Sequence, residues 1–270
     1  MAEYLRAARR ILVFTGAGIS TASGIPAFRG AGGVWTTRQP VYYQDFMARE
    51  ESRIEYWRYK LEMWEAHGDA QPNAVHQAIV QLELAGKVVM VVTQNVDGLH
   101  RAAGTSEELL VEVHGTGTLV ECQSCGDRDD VAPSFAAFKE TGAPPLCHCG
   151  GFLKPATISF GQSLREADLA RAFAATALCD LVLALGSTLS VSPANSIPLA
   201  AAQRGTKYII INRDETDHDR LEEVTLRSND ELEEIFPKAV EKALSSLQQL
   251  RQQHAPAAGD QGLAGHEAGF

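Results

Sequence analysis

The sequence lacks several features that would assign it to a class of protein at once. It has no apolar run approaching the roughly 20 residues that cross a bilayer, so we do not expect a membrane-spanning protein. It has no internal repeats. It also lacks a G-x-G-x-x-G motif followed by an acidic residue about 20 positions later, which argues against a nicotinamide-dependent dehydrogenase. No signal peptide is visible, and we therefore expect a cytoplasmic location.

Positive charge is scarce as well. The chain has 24 lysines and arginines against 34 aspartates and glutamates, which gives a net charge of −10 at pH 7. Such a surface argues against general affinity for nucleic acids. It would attract basic peptide segments such as those around a lysine, although simple solubility explains the charge equally well.

Apolar runs recur along the chain at intervals that suit parallel strands joined by helical crossovers. The runs occupy residues 11–14, 87–93, 181–186 and 208–212, and each ends in a polar or glycine-containing motif. Helical patterns occupy residues 73–84, with Asn73 as the N-cap, and 164–178, 193–203 and 230–253. We therefore predict an α/β protein with an open, doubly wound parallel sheet, in which ligands bind beyond the carboxyl ends of the strands.

Two segments interrupt this alternation. Residues 33–72 are rich in tyrosine and tryptophan, and residues 118–155 hold most of the cysteines. We expect both to fold beside the sheet as one small domain, while residues 1–32, 73–117 and 156–252 form the large one. Residues 253–270 are rich in Ala, Gly and Gln and have little apolar content, and we expect a disordered tail.

A glycine-rich loop follows the first apolar run. It begins Gly16-Ala17-Gly18 and continues through Ser23-Gly24-Ile25-Pro26 to Phe28-Arg29-Gly30. Small residues at the end of a strand let a phosphate approach the backbone, and we expect the next helix to begin here and to offer free N–H groups. The pattern is also compatible with a plain tight turn.

The whole loop resembles the first signature of the sirtuins, the NAD-dependent protein deacylases. Four further motifs follow in the family's order over roughly residues 5 to 245: Thr93-Gln94-Asn95-Val96-Asp97-Gly98-Leu99-His100, then His114-Gly115, then Phe160-Gly161, and Gly186-Ser187-Thr188-Leu189 with Ile211-Asn212. The resemblance implies a Rossmann-like NAD-binding domain, a small zinc-binding and helical module, and an active-site cleft between them.

Four of the five cysteines form two close pairs. Cys122 and Cys125 are separated by 21 residues from the pair Cys147 and Cys149. Such pairs are typical of a tetrahedral Zn²⁺ site, and a reducing compartment favours metal over disulfides. The second pair departs from the C-x-x-C spacing usual in sirtuins, and His148 is an alternative ligand. With four protein ligands the zinc would be structural. We expect Cys179 to pack in the core.

The resemblance also implies a role for most site residues. His114 is the general base, and Asn95 and Asp97 complete the catalytic set. Residues expected to bind NAD are Gly16, Ala17, Gly18, Ile25, Phe28, Arg29, Gln94, Asn95, Asp97, Gly186, Ser187, Thr188, Asn212, Arg213, Asp214 and Asp230. The implied reaction begins when the acyl oxygen of an acyl-lysine attacks C1′ of the nicotinamide ribose. His114 then deprotonates a ribose hydroxyl, and the acyl group ends on ADP-ribose.

The acyl-peptide is expected between two segments that pair with its backbone in the family. One contains Ile158, Phe160 and Gly161, and the other contains Leu189, Ser190 and Val191. Two residues depart from the family pattern. Ser159 replaces a usual large residue and Gln162 replaces a usual Glu, so the width and charge of the tunnel are expected to differ.

The acyl group itself is suggested by two further matches. Gly30-Ala31-Gly32-Gly33-Val34-Trp35 resembles the sirtuin class that includes desuccinylases, which bind an acyl carboxylate with a Tyr-x-x-Arg pair. The best match here has Trp57 for the tyrosine and Lys60 for the arginine. Lysine cannot offer the bidentate fork of arginine. This favours neutral acyl groups, with acetyl first.

Other functions remain compatible with the same scaffold. An ADP-ribosyltransferase or NAD glycohydrolase would use the same NAD cleft without a histidine base. A non-catalytic NAD or ADP-ribose sensor would be expected to lose Asn95, Asp97 or His114, and all three are present. Protein-lysine deacylation is therefore the favoured hypothesis.

Overall fold

A computed structural model describes residues 1–29, 33–34 and 38–253 of the protein, with side chains to Ser245 in the last helix. Most of the 30–35 segment that resembles the desuccinylase class, and the tail expected to be disordered beyond Gln253, lie outside the described residues. Among those residues, no helix combines the length and the apolarity needed to cross a membrane.

A parallel sheet forms the centre of the larger part of the molecule. Its strands are β1 (Ile11–Thr15), β2 (Val88–Thr93), β3 (Leu110–Glu112), β7 (Leu181–Leu185), β8 (Lys207–Ile211) and β9 (Val224–Ser228). They are arranged in the order β3-β2-β1-β7-β8-β9, and every neighbouring pair is parallel. The strand order reverses between β1 and β7, as in the Rossmann fold, so a ligand crevice is expected at the carboxyl ends of these two strands.

Helices cover both faces of this sheet. Those packed on it are α1 (Ala2–Ala7), α4 (Ala74–Leu84), α7 (Glu166–Thr176), α8 (Ser196–Ala202) and α9 (Leu232–Gln253). Alternate residues of β1 enter different cores: Ile11 and Val13 pack with α1, α4 and α9, whereas Leu12 and Phe14 pack with α7 and α8. The predicted doubly wound architecture is confirmed.

Local chemistry explains where these elements begin. Asn73 is the N-cap of α4, as predicted, and its side chain accepts a hydrogen bond from Val75 N at 2.9 Å. The four apolar runs are all strands, within a residue or two of their predicted ends. Strand β9 was not predicted, because its sequence mixes polar and apolar residues. Cys179 is half-buried against the core formed with α7 and α8.

A second, antiparallel sheet lies beside the first. It has the order β5-β4-β6, formed by β4 (Gly115–Cys122), β5 (Arg128–Asp130) and β6 (Leu153–Thr157). Helices α2 (Tyr43–Ala48), α3 (Glu50–His67) and α6 (Val131–Thr141) pack against it, and the short α5 (Leu99–Ala103) follows β2. Trp57 is fully buried at the centre of this small core, with Phe135 5.5 Å from it between ring centroids.

The predicted helix directly after the glycine-rich loop is wrong. The chain instead makes two 3-10 turns, at Ala17–Ile19 and Thr21–Ser23. Gly24 ends the second turn in the left-handed region, with φ of 86°. The loop therefore stays close to the sheet edge instead of leaving along a helix axis.

Candidate functional site

The ends of β1 and β7 meet at a contact that only glycine permits. Gly18 N donates to Gly186 O at 2.8 Å, and Gly16 N donates to Leu185 O at 3.0 Å. A Cβ on Gly16 or Gly18 would lie 2.7 Å from backbone atoms of Gly186. Side chains at these positions would force the loop off the sheet, so the three glycines set the floor of the crevice.

A cleft of about 670 Å³ opens above this contact. Predicted site residues that line it are Gly16, Ala17, Gly18, Phe28, Arg29, Gln94, Asn95, His114, Ile158, Phe160, Gly161, Gly186, Ser187, Thr188, Val191, Asn212, Arg213 and Asp214. They come from the ends of several parallel strands and from the start of the small sheet. The structure thus brings together most of the residues that the sequence identified.

Asn95 and Asp97 are held by one buried serine. The hydroxyl of Ser20 donates to Asp97 Oδ2 at 2.7 Å and accepts from Asn95 Nδ2 at 3.2 Å. Asp97 Oδ1 accepts from Leu99 N at 2.9 Å, which fixes the carboxylate at the start of α5. These bonds tie the glycine-rich loop to the segment after β2, and they fix the side-chain orientations of Asn95 and Asp97.

His114 lies between the two sheets and faces the cleft. Its Nδ1 is 3.1 Å from the carbonyl oxygen of Gln94. A carbonyl only accepts, so Nδ1 carries the proton and Nε2 is left with a lone pair. Burial lowers the pKa of His114 below its usual 6.5, although the bond to Gln94 opposes the effect. The imidazole is therefore neutral near pH 7 and suited to accept a proton.

The end of β8 is shaped by an arginine that the sequence did not single out. Asn212 donates from Nδ2 to Asp214 O at 2.8 Å. Arg227 on β9 donates to Asn212 O and to Asp214 O, each at 2.7 Å, and its Nε donates to Asp219 at 2.7 Å. The bonds from Arg227 hold the 212–219 loop open at the cleft edge. Arg227 is half-buried and lies on a strand that the sequence did not predict, so nothing in the sequence singled it out.

The segment after β6 is tied to His114 and to α2. Ile158 N donates to His114 O at 2.7 Å. Gln162, which departs from the family pattern, accepts from Ser159 N through its side-chain oxygen at 3.1 Å. Gln44 donates from Nε2 to Gly161 O at 3.0 Å. Two side-chain amides thus bind backbone groups of the segment that follows β6.

Five predicted site residues do not line the cleft. Ile25 is buried behind the loop, Leu189 is fully buried with φ of 56°, and Asp97 lies beneath Asn95 against Ser20. Ser190 is exposed and bonds Thr188 Oγ1 at 2.8 Å. Asp230 is exposed and accepts from Ser228 Oγ at 2.6 Å, while its neighbours 231–233 line the cleft instead. Direct cofactor contact from Asp230 is therefore not supported by the geometry.

Helix α3 contributes more than the sequence indicated. Tyr56, Tyr59 and Lys60 line the cleft, whereas Trp57 is buried in the small core. Trp57, which takes the place of the desuccinylase tyrosine in the sequence match, therefore presents no group to the cleft. The helical spacing gives the physical reason: positions 57, 61 and 64 form the core-facing stripe, and positions 56 and 60 lie beside it. That spacing was a signal available in the sequence.

The four paired cysteines converge in the small module. Their sulfur atoms all lie within 4.8 Å of one another, with Cys122 and Cys149 3.5 Å apart and Cys125 and Cys147 3.8 Å apart. The donors Ser124 N and Cys125 N point at Cys122 Sγ at 3.4 and 3.5 Å, which favours a thiolate. The C-x-C pair therefore closes a four-sulfur set that fits Zn²⁺. His148 is exposed beside it.

Comparison with known proteins agrees with the family resemblance of the sequence motifs. The family model described as the Sir2 family matches residues 16–193. The chain is similar to NAD-dependent protein deacetylase 1 of Bradyrhizobium diazoefficiens, with 40% identity over 227 residues that cover 84% of this chain and 89% of that protein.

Solved structures agree in fold as well as in sequence. A complex of a Sir2 homolog with NAD matches at 32% identity and a TM-score of 0.80, over 91% of this chain and 93% of that one. A Sir2 variant with a deacetylated p53 peptide and 3′-O-acetyl ADP-ribose matches at 31% identity and a TM-score of 0.77, over 88% and 95%. On the sequence match, the shared architecture and the cleft at the strand ends, the protein belongs to the Sir2 family.

Proposed function

We propose that the protein is an NAD-dependent protein-lysine deacetylase that releases nicotinamide and O-acyl-ADP-ribose. The observation that carries the proposal is the tautomer of His114, whose Nδ1 is bound to Gln94 O and whose Nε2 is free in the cleft. A neutral imidazole facing the floor of a dinucleotide crevice is a general base in the place where a ribose would lie. The Sir2 relatives named for this activity support the assignment.

The chain offers distinct groups for each part of NAD. The backbone of Gly16, Ala17 and Gly18 suits the pyrophosphate, because the absent side chains let it approach the N–H groups. Asn212 and its neighbours on the 212–214 loop suit the adenosine ribose. Asn95 faces the nicotinamide end, and Asp97 positions it through Ser20. Once bound, NAD supplies an electrophilic ribose carbon and the hydroxyls that receive the acyl group.

His114 then moves one proton. In the overall reaction acyl-lysine, NAD and water give lysine, nicotinamide and O-acyl-ADP-ribose. His114 Nε2 would take the proton of a ribose hydroxyl as that oxygen bonds to the carbon of the former amide, and the bond from that carbon to the lysine nitrogen would then break, so that the lysine amine leaves protonated. Gln94 holds the base in place. Its carbonyl fixes the imidazole of His114, and its side chain donates to Ser187 Oγ at 2.7 Å, which ties the end of β2 to the segment after β7. Phe28 lines the same cleft, where it would shield the electrophilic ribose carbon from water.

The zinc site acts on the fold and not on the chemistry. Cys122, Cys125, Cys147 and Cys149 provide four sulfur ligands, so no coordination position is left for water. Bound Zn²⁺ would hold β4 and β5 to the loop that carries Cys147 and Cys149. It would therefore stabilise the small domain, which we assign to residues 33–72 and 118–155, whereas residues 1–32, 73–117 and 156–252 form the large domain.

The substrate is an acyl-lysine peptide or protein. It would lie between the 158–161 segment and Val191, after displacing the amide contacts of Gln44 and Gln162. The relative bound to a deacetylated peptide supports this class of substrate. Four reduced, metal-binding cysteines also suit the cytoplasm, the location that we propose.

The test is a turnover experiment with NAD and an acetyl-lysine peptide, followed by mass spectrometry. We expect deacetylated peptide, nicotinamide and O-acetyl-ADP-ribose in equal amounts, and we expect His114→Ala to lose turnover to deacetylated peptide and O-acetyl-ADP-ribose. NAD cleavage without deacetylation, or ADP-ribose added to protein, would overturn the proposal in favour of a glycohydrolase or an ADP-ribosyltransferase.

A further inference from the structure

A short turn between β8 and β9 supports the side of the cleft that carries Asn212. It comprises Thr216, Asp217, His218 and Asp219, and we call it the 216–219 turn. Thr216 and His218 are buried, Asp217 is exposed and Asp219 is half-buried. Alternate side chains of the turn therefore point into the protein, although the turn lies in a connection between strands.

The 216–219 turn is attached to two walls of the cleft. On one side, Asp217 N donates to Thr188 O at 3.0 Å, and Thr188 follows β7 and lines the cleft. On the other side, Asp219 accepts from Arg227 Nε at 2.7 Å. Arg227 also donates to Asn212 O at 2.7 Å. The turn thus links the segment after β7 to the segment after β8, and we expect both segments to hold the adenosine half of NAD.

His218 anchors this turn to the core. It lies between Asp217 and Asp219, the residues that make the two attachments, and it is 4% exposed. Its Nδ1 is 3.0 Å from the hydroxyl oxygen of Tyr208, and the two rings meet edge to face with 6.1 Å between their centroids. Tyr208 lies on β8 and is fully buried. The hydrogen bond therefore fastens the turn to the strand that Asn212 directly follows.

The hydroxyl of Tyr208 is not needed to fill the core. Tyr208 belongs to a cluster of buried apolar side chains that includes Val182 and Ile197, where the ring of a phenylalanine would occupy the same space. A buried hydroxyl without a partner costs free energy, and His218 supplies the partner. The hydroxyl thus contributes the bond to the turn, whereas the ring contributes the packing.

Both side chains of this pair are uncharged at neutral pH. Burial lowers the pKa of His218 below its usual 6.5. The nearby carboxylates of Asp217, Asp219 and Glu223 oppose this lowering of the pKa without reversing it. Burial, together with the charge of Asp219, raises the pKa of Tyr208 above its usual 10. The link is therefore one neutral hydrogen bond, which a single substitution on either side removes.

We propose that Tyr208 and His218 are positioning residues for the adenosine half of NAD. Their hydrogen bond holds the 216–219 turn on β8, and the turn in turn fixes the spacing between Thr188 and Asn212 across the cleft. Neither Tyr208 nor His218 lines the cleft, so the pair acts through those two residues. The inference rests on the proposed function, in which Asn212 binds the adenosine ribose, and it adds the residues that hold that site in shape.

The experiment separates the KM for NAD from the other kinetic constants. Full-length enzyme is assayed with varied NAD at saturating acetyl-lysine peptide, and then with varied peptide at saturating NAD. In Tyr208→Phe we expect the KM for NAD to rise by about fivefold or more, because buried His218 loses its partner. The kcat and the KM for the peptide should not change. Calorimetry with ADP-ribose, which contains the adenosine half, should show the same loss of affinity.

Four further variants make the test specific. His218→Leu should raise the KM for NAD as Tyr208→Phe does. His218→Asn should keep it near the wild-type value, because asparagine carries a polar group at the position of Nδ1. The double variant Tyr208→Phe with His218→Leu should raise it by less than the product of the two single effects, since both remove the same bond. Tyr4→Phe is the matched control, because it removes the hydroxyl of an exposed tyrosine on α1, and no constant should change.

The outcomes separate this inference from the proposed function. An unchanged KM for NAD in both Tyr208→Phe and His218→Leu overturns the positioning role, while wild-type turnover still supports the deacetylase. A parallel change of kcat, of both KM values and of the melting temperature also overturns it, because it would indicate a general role in stability. If the wild type turns over no peptide, the proposed function fails. Calorimetry then decides the inference, since weaker ADP-ribose binding by Tyr208→Phe supports it and equal binding overturns it.

Discussion

The imidazole of His114 is bound through Nδ1 to the backbone carbonyl of Gln94, 3.1 Å away. Gln94 is the first residue after β2, and its side chain reaches Ser187 at the end of β7. The orientation of the base is therefore set by the parallel sheet, although His114 itself lies directly before the first strand of the small sheet. This coupling gives the first prediction.

Replacing His114 with alanine should abolish deacylation and leave NAD binding in place. Loss of a general base typically costs about 10²–10⁴-fold in rate. Rates are measured with acetyl-lysine peptide, and NAD binding is measured by calorimetry. His67→Ala, in the last turn of α3, is the control and should keep full activity. Retained activity in His114→Ala would mean that another group takes the ribose proton.

The pH dependence should follow the neutral form of His114. Burial lowers the pKa of this imidazole below its usual 6.5. The base is therefore already neutral above that pH, so kcat/KM should be flat through neutrality and fall only as the pH drops below about 6.5. A pH profile with acetyl-lysine peptide measures this limb. A midpoint above pH 7 would contradict the assignment.

Replacing Ser20 with alanine should weaken the nicotinamide end of the site. The change removes one partner each from Asn95 and Asp97. A buried polar group left unpaired costs about 1–3 kcal/mol, so we expect kcat/KM for NAD to fall by about tenfold or more. Ser245→Ala, exposed on α9, is the control. If Ser20→Ala lowers kcat/KM for NAD no more than Ser245→Ala does, Ser20 does not position these side chains.

The sequence predicted the large sheet well because buried parallel strands have a simple signature. The four β-branched, apolar runs are all strands, and the helices between them were located within a few residues. Strand β9 contains Thr225, Arg227 and Ser228 and lacks that signature. The 3-10 turns after Gly16 were missed for a different reason. Glycine permits many backbone conformations, so its presence does not predict which one the loop adopts.

Site residues were predictable where they follow a strand and were not where they lie on a helix face. His114, Asn95 and Ser187 follow strands, and the edge of the sheet brings them together. Trp57, which takes the place of the desuccinylase tyrosine in the motif match, packs in the small core and does not line the cleft. Asp230 was predicted at the adenine side, but the residues that line the cleft are 231–233. Helix α9 begins at Leu232, and its first turn faces the cleft.

Removing the metal should unfold the small domain and inactivate the enzyme. We expect one Zn²⁺ per chain by elemental analysis, and a chelator should lower the melting temperature as the metal leaves. Cys147→Ser should lose the ion, because it breaks the tight C-x-C pair. Cys179→Ser is the control and should retain it, since Cys179 lies outside the four-sulfur cluster. Full activity without bound metal would contradict a structural role.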